Sequence, residues 1–540
     1  MSTEHAKLSS REASQRYVLL FLIGLSAFIA FARFHTYDEP LEHDITVATV
    51  IANEMRAGRE YYSDLWENKP PGTYVAHMVS QALFGYGRGS LYALNVSLGI
   101  LTLFGVYAAG ATGAKSRTAG LWAAVFWTLA SGDMDLQANQ PNTEAFMNGP
   151  LIWSFALLLT LRDSATGNRK SHYLKTLAIG GLFAIATFYK PHSVFYGLFL
   201  SLAHVFFPSE RTSGARKQAI KDVLIIGAFG AAAWIVFFTY FSLTDRFQIL
   251  YATMFIYPRY YSGSLFLNMM DSLGRRLFPP QMMSASPLIF LTLVGGIIAW
   301  IIRSTRPWLL LLAYAIATQL TIGIPGRFYT HYYQLWLPIL AVGAGWSAVL
   351  LVHIVKEQYK NWLPHAFAAI AALFMLQAEI WTYRMDPVEW SIRAYGGVYA
   401  ASEKLAVEIS KILEPGETLF VLGDEPGFYF HTKTRPAVGT FFLQDVATGP
   451  LAQELTTRAL KDLSRKPPDL VVIMNSAIGE KTVGPLNAKL GPEHPIRSWI
   501  SQNYCIVNTN PNELFTICAR PGSSLERRES YRSLRSELGG

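Results

Sequence analysis

Between residues 17 and 383 the sequence is dominated by apolar runs, and their length constrains the fold more than any motif does. Runs of about 16 to 22 residues are long enough, as helices, to cross a hydrocarbon core of roughly 30 Å. Such stretches lie near 17–34, 91–111, 118–132, 145–161, 174–189, 191–207, 222–243, 286–302, 307–323, 334–355 and 363–382. They imply a polytopic α-helical membrane protein with about eleven transmembrane helices. Only 16% of residues are charged, against about a quarter in soluble domains. The depletion is confined to this region, and the rest of the chain reads as soluble.

The net charge of +8 is set in short loops rather than on a basic stripe, which argues against nucleic-acid binding. Alternate loops carry it: Lys7, Arg11 and Arg16; Lys115 and Arg117; Arg162, Arg169, Lys170 and Lys175; Arg211, Arg216, Lys217 and Lys221; Arg303 and Arg306; Lys356 and Lys360. By the positive-inside rule these loops are cytoplasmic. Segments 35–90, 133–144, 244–285, 324–333 and everything after 383 then face the periplasm or exterior of the inner (plasma) membrane.

The outward loops hold the residues with chemistry. The first contains Asp38, Glu39, Glu42, His43 and Asp44. From Asp44, apolar positions Ile45, Ala48, Ile51 and Met55 define one face of an amphipathic helix, expected at the membrane interface. Asp44 itself has two readings, a helix cap or a free carboxylate base. In YYSDLWENKPPG the tandem prolines stiffen the backbone around Lys69, whose ammonium suits a phosphate or snorkels to the interface. The second outward loop, GDMDLQANQPNTEAF, puts Glu144 at the mouth of a span among amides, where an acid is costly unless used or solvated. YKPH offers Lys190 and His192. GIPGRFYTHYYQLWLP offers Arg327, His331, Tyr332 and Tyr333, although Tyr333 and Trp336 also fit an interfacial aromatic belt. Acids and cations on one membrane face suit a reaction in which a hydroxyl attacks and a phosphate leaves.

The stretch LEHDITVATVIANEMRAGREYYSDLWENKPPG resembles the first exported loop of the dolichyl-phosphate-mannose protein mannosyltransferase-like superfamily of GT-C membrane glycosyltransferases, whose bacterial members include the lipid A aminoarabinose transferase. The resemblance is carried by Asp44, Gly58, Tyr62, Asp64, Trp66, Lys69, Pro70 and Pro71, and extends to ANQPNTEAF, the Lys190 turn and HYYQLWLP. It implies a GT-C fold and transfer of a sugar from a polyprenyl-phosphate carrier to an acceptor (lipid A, a surface glycan, another lipid or a protein), with inversion. Asp44 is implied as the base, with Glu144 orienting acceptor or sugar. Lys69, Lys190, Arg327, His331, Tyr62 and Asp64 are implied at the substrates. The Asp38–Glu39 pair is the alternative catalytic position, because the second acid that many members carry beside the base is Ile45 here. A metal is not specified; a divalent ion would find ligands in His331 and Glu144. The rival readings are a glycan ligase or polymerase using a diphosphate-linked donor, and a membrane transporter.

The expected domains are a multi-span catalytic domain over 1–383, a soluble periplasmic α/β domain over 384–520 with strands at TLFVLG and DLVVIM, and a disordered tail over 521–540. In that soluble domain NYCIVNTNPNELFTICAR reads as two strands around an Asn-Pro-Asn turn, which leaves Cys505 and Cys518 as either a cross-strand disulfide or two buried thiols.

Overall fold

The structure is a computed structural model and describes residues 2–163, 168–208, 210, 212–479, 488–507 and 513–538. It is mostly helical, and all eleven apolar stretches are helical. Six helical segments among the described residues are long and apolar enough to cross a membrane: Gln15–Phe34, Arg88–Gly113, Thr143–Arg162, Ser213–Leu243, Thr330–His353 and Leu363–Arg384. The other five stretches are shorter or less apolar. Arg211, one of the topology-setting residues, lies outside the described residues.

The chain divides into two compact units. The first comprises Met1–Asp38, Leu91–Thr239 and Ser264–Trp390. Its centre is the helix Leu337–Leu350, buried at every position from Leu337 to Ala348. A helix apolar all round has to be enclosed, and small residues let its neighbours close on it. A Cβ at Gly345 would stand 2.5 Å from the Ala119 carbonyl oxygen, and one at Gly343 would stand 2.5 Å from Thr292. The helices Arg117–Ala130 and Ser286–Ile301 therefore pack directly against its backbone, as small residues allow in membrane bundles. Tyr333 and Trp336, which fit an aromatic belt by sequence, are buried instead. Each polar tip has an internal partner: the Tyr333 hydroxyl donates to the Arg276 carbonyl (2.9 Å) and Trp336 Nε1 to Gln319 Oε1 (3.0 Å).

The second unit comprises Glu39–Ser90, Tyr240–Gly263 and Ser391–Gly540. The soluble C-terminal stretch thus packs as one body with the first loop and with 240–263. Its sheet has the order β1 (Leu419–Leu422), β2 (Leu470–Met474), β3 (Phe515–Ala519). The first pair is parallel and the second antiparallel. LFVL and LVVIM are buried almost throughout, which is why they read as continuous apolar runs rather than alternating ones.

Two expectations are corrected here. Cys505 and Cys518 are joined by a disulfide, but not across a hairpin: β3 pairs with β2, and no strand forms at 503–507. The Asn510-Pro511-Asn512 turn lies outside the described residues. The expected disordered tail contains the helices Ser524–Arg527 and Glu529–Glu537. Tyr531 and Leu534 provide a buried face, and the Tyr531 hydroxyl accepts the Ala519 N–H at the end of β3 (2.8 Å). The tail's high polarity hid these two anchors.

The helix His43–Arg56, expected at the interface with one apolar face, is buried throughout positions 45–52. It packs against the helices Gly72–Phe84 and Gly427–Thr432. Even Glu54 is buried, with its carboxylate taken by Arg435 (2.8 Å) and Arg59 (3.4 Å). Gly439 is required where the first loop meets the C-terminal segment: the Trp66 N–H donates to its carbonyl (2.8 Å), and a Cβ there would fall 1.7 Å from the Asp64 carbonyl oxygen.

Candidate active site

The 43–56 helix begins on Glu42, which has extended backbone and a carboxylate oxygen that accepts the Asp44 N–H (2.8 Å). Glu42 is therefore the N-cap, and Asp44 does not serve as one. Asp44 Oδ1 instead accepts from Lys69 Nζ at 3.1 Å. The helix ends where Gly58, at φ +92°, reverses the chain, and the loop that follows fixes Lys69 on all sides. The hydroxyls of Tyr61 and Tyr62 donate to the Lys69 carbonyl (2.6 and 2.9 Å). The Lys69 N–H donates to Glu67 Oε2 (3.0 Å), and its ammonium is 3.6 Å from Glu67 Oε1. Glu67 is in turn held by the Tyr74 hydroxyl.

Charge in this cluster is set by burial against pairing. Burial disfavours the Lys69 ammonium, but Asp44 and Glu67 outweigh it and keep it firmly protonated. Burial pushes the Glu42 carboxyl up to about 7, against the pull of His43. For His43 burial acts downward, and Glu42 and Asp44 prevail, leaving its pKa raised. Its Nε2 is 3.1 Å from Glu42 and its Nδ1 2.7 Å from the Tyr399 hydroxyl. Glu425, from the C-terminal segment, is pushed by burial up to about 8, a rise that the charge on His43 opposes.

Glu425 has a measurable consequence. The folded chain holds its proton more tightly than the unfolded chain, whose pKa is about 4.5. Stability therefore falls as pH rises from about 4.5 to about 8, at up to about 1.4 kcal/mol per pH unit. Glu425→Gln is expected to flatten this dependence and to melt above the parent at pH 8. Thermal unfolding at pH 5 and pH 8 reads it, and an unchanged slope would refute it.

Glu42, His43 and Asp44 are the one group among the described residues whose ligand atoms all lie within 4.8 Å of one another. The donor set would suit a hard divalent ion. Both His43 nitrogens and one Asp44 oxygen are already engaged, however, and Lys69 supplies the local positive charge. The residues fit a cation poorly.

The first unit holds a second cluster. Glu144 opens the helix Thr143–Asp163 and its side chain is 0% exposed. Lys190, extended at the end of the helix Arg169–Tyr189 and just before Pro191, reaches it at 2.9 Å. The ammonium also sits 3.4 Å from the centre of the Tyr332 ring, a cation–π contact. His331 Nε2 is 4.0 Å from the other Glu144 oxygen, and its Nδ1 is 3.2 Å from Gln137 Oε1. With Lys190 on Glu144, the pair expected as metal ligands is an ion-pair site.

Of the sequence candidates, Asp44, Lys69 and Tyr62 come together in one cluster, and Glu144, Lys190 and His331 in the other. Asp64 is exposed and its carboxylate accepts the Glu60 N–H (2.9 Å), closing its own loop. Arg327 lines a groove with Asp271, Arg275 and Arg276. In the alternative pair Asp38 is exposed and Glu39 buried. Sequence reasoning missed Glu42 as the cap, Glu67 as second partner of Lys69, and Glu425. Glu67 was findable, two residues before the lysine. Glu425 had no local signal, because its role depends on packing across more than 350 residues of chain.

No family model matches the sequence, and no curated protein matches it. Solved structures do. ArnT from Cupriavidus metallidurans bound to undecaprenyl phosphate superposes with a TM-score of 0.55 at 16% identity, covering 94% of this chain and 98% of that one. The archaeal oligosaccharyltransferase AglB from Archaeoglobus fulgidus, in complex with an inhibitory peptide and a dolichol-phosphate, gives 0.51 at 12% identity, over 86% and 70%. Both are GT-C glycosyltransferases. The chain has the GT-C fold. At these identities the likeness is one of architecture, and within the GT-C fold the apo form of the same ArnT gives 0.54, over 85% of this chain and 93% of that one.

Proposed function

We propose that the chain is an integral-membrane glycosyltransferase that moves a sugar from a polyprenyl-phosphate carrier to an acceptor on the outer face of the inner membrane. The observation that carries this reading is the Asp44–Lys69 pair: a carboxylate relieved of helix capping by Glu42, beside an ammonium held at its backbone and its side chain. ArnT, solved with undecaprenyl phosphate, and AglB, solved with a dolichol-phosphate, share the fold and lend it support.

In this mechanism an acceptor hydroxyl or phosphate oxygen attacks the anomeric carbon from the side opposite the carrier, so configuration inverts. The bond from that carbon to the phosphate oxygen breaks, and the carrier leaves as polyprenyl phosphate. Asp44 takes the acceptor proton, a step worth about 10²–10⁴-fold. Lys69, with three N–H donors, bonds the departing phosphate while keeping Asp44 as a partner. In the first unit, Lys190 and Arg327 take the role of positive charge for a substrate phosphate, and Glu144 and His331 that of orienting acceptor or sugar. Tyr62 acts through Lys69, whose carbonyl it holds, and Asp64 through the fold of their shared loop. The C-terminal α/β stretch is extracytoplasmic and lines the acceptor side.

Purified protein in lipid, incubated with polyprenyl-phosphate sugars and extracted envelope acceptors, is expected to release polyprenyl phosphate and label an acceptor. If only a diphosphate-linked donor is consumed, the reading fails and a glycan ligase replaces it.

A further inference from the structure

Arg33 stands in the last turn of the helix Ser2–Phe34, within the first unit. It is only 5% exposed, and no carboxylate among the described residues is near enough to pair with it. Its Nη2 donates to the Ser131 carbonyl (2.6 Å), just past the helix Arg117–Ala130. Gly99 makes room for the guanidinium, because a Cβ there would lie 3.2 Å from Nη2. Nε and Nη1, by contrast, find no hydrogen-bond partner among the described residues. A guanidinium does not shed its proton, and ionisable groups at membrane depth are ordinarily paired. The carboxyl ends of the two helices offer it partial negative charge, less than a counterion supplies.

Arg33 lines a small cavity inside this unit, about 10 Å³, room for a single water-sized guest. Asn148 is on the same wall, and its Oδ1 is likewise buried without a partner. Two other polar groups of the wall are already spent: the Thr102 hydroxyl donates to the Leu98 carbonyl (2.8 Å) and Trp127 Nε1 to the Gly99 carbonyl (3.0 Å). A water molecule would accept from Arg33 and donate to Asn148. It would leave the guanidinium charge uncompensated in surroundings of low polarity, which is the costly state. A polyatomic oxyanion exceeds the space. A monatomic anion meets both demands, since it balances the charge and accepts several N–H groups at once.

We propose that this cavity binds a monatomic anion of the chloride class, held by Nε and Nη1 of Arg33. The Asn148 amide, turned end for end, adds its Nδ2. The Gln334 carbonyl that Nδ2 then leaves (3.3 Å) still accepts the Leu337 N–H. Neither Arg33 nor Asn148 has a part in the transfer chemistry, so failure of this inference leaves that reading standing, and the converse holds.

The test is the thermal midpoint of the detergent-solubilised full chain, with sodium chloride exchanged for sodium gluconate at equal ionic strength. At about ten times its dissociation constant, chloride is expected to raise the midpoint by about 2–4 °C, with saturation. Bromide should replace it and sulfate should not. Asn148→Asp puts a fixed carboxylate beside Arg33, so this variant is expected to reach the parent's chloride midpoint in gluconate and to lose the response. Arg33→Met, which removes the charge, should lose the response as well; where it fails to fold, Asn148→Asp decides. Equal parent midpoints in chloride and gluconate, the result for a cavity that takes water alone, overturn the proposal. A chloride response that persists in full in Asn148→Asp also overturns it, by placing the ion elsewhere.

Discussion

Asp44→Asn is expected to lower kcat for sugar transfer by about 10²–10⁴-fold while the protein still inserts and folds. Asparagine is nearly isosteric with aspartate, so its carbonyl still accepts from Lys69. The helix that starts at His43 keeps its cap, because that cap is Glu42. Lys69 also keeps Glu67, 3.6 Å from its ammonium. The expected stability loss is therefore about 1 kcal/mol, and the thermal midpoint should hardly move. Release of polyprenyl phosphate, measured against the midpoint of the same preparation, separates the two effects. Asp38→Asn provides the contrast: that side chain is exposed, and its loss is expected to leave the rate unchanged. An active Asp44→Asn enzyme would remove Asp44 from the mechanism, and an inactive Asp38→Asn enzyme would move the base to the alternative pair.

Lys190→Met should act mainly on stability. The Glu144 side chain is fully buried and Lys190 is its ion-pair partner at 2.9 Å. Removing the partner of a buried charge costs about 3–5 kcal/mol, because the remaining ion is left uncompensated in a medium of low polarity. The single variant is thus expected to express poorly and melt early. Pairing it with Glu144→Gln removes the stranded charge, so the double variant should regain most of the midpoint while remaining inactive. The double-mutant cycle is expected to be strongly non-additive. A Lys190→Met protein as stable as its parent would show that the pair contributes nothing to the fold.

The helical runs were legible because they rest on a local signal, the length of the apolar stretches. The resemblance of the first loop singled out Asp44 and Lys69, and the structure places the two side chains in contact at 3.1 Å. The reading failed where packing at long sequence separation decides. Periodicity gave the 43–56 helix one apolar face, but Thr46, Thr49 and Glu54 are also buried, and Glu54 is paired with an arginine about 380 residues later. Nothing near Glu54 announces that partner. Residues 524–537 are polar enough to read as disordered, and only Leu525, Tyr531 and Leu534, three anchors in a charged segment, say otherwise. The hairpin around the cysteines failed because strand propensity does not name a partner, and β3 pairs with β2 instead.

The second unit is threaded from three stretches of chain separated by most of the membrane-spanning sequence. During synthesis the 39–90 segment emerges several hundred residues before the strands and helices that enclose it. Domains made early on the ribosome ordinarily fold early, and this one has no such option. Thr46 waits for Gly427 to cover it, and Glu54 waits for Arg435. Loop closures of this length are slow to form. The nascent protein thus passes through a stage in which residues 39–90 lack the C-terminal segments that complete their unit. Quality control of this protein is a matter of how soon its last 150 residues arrive.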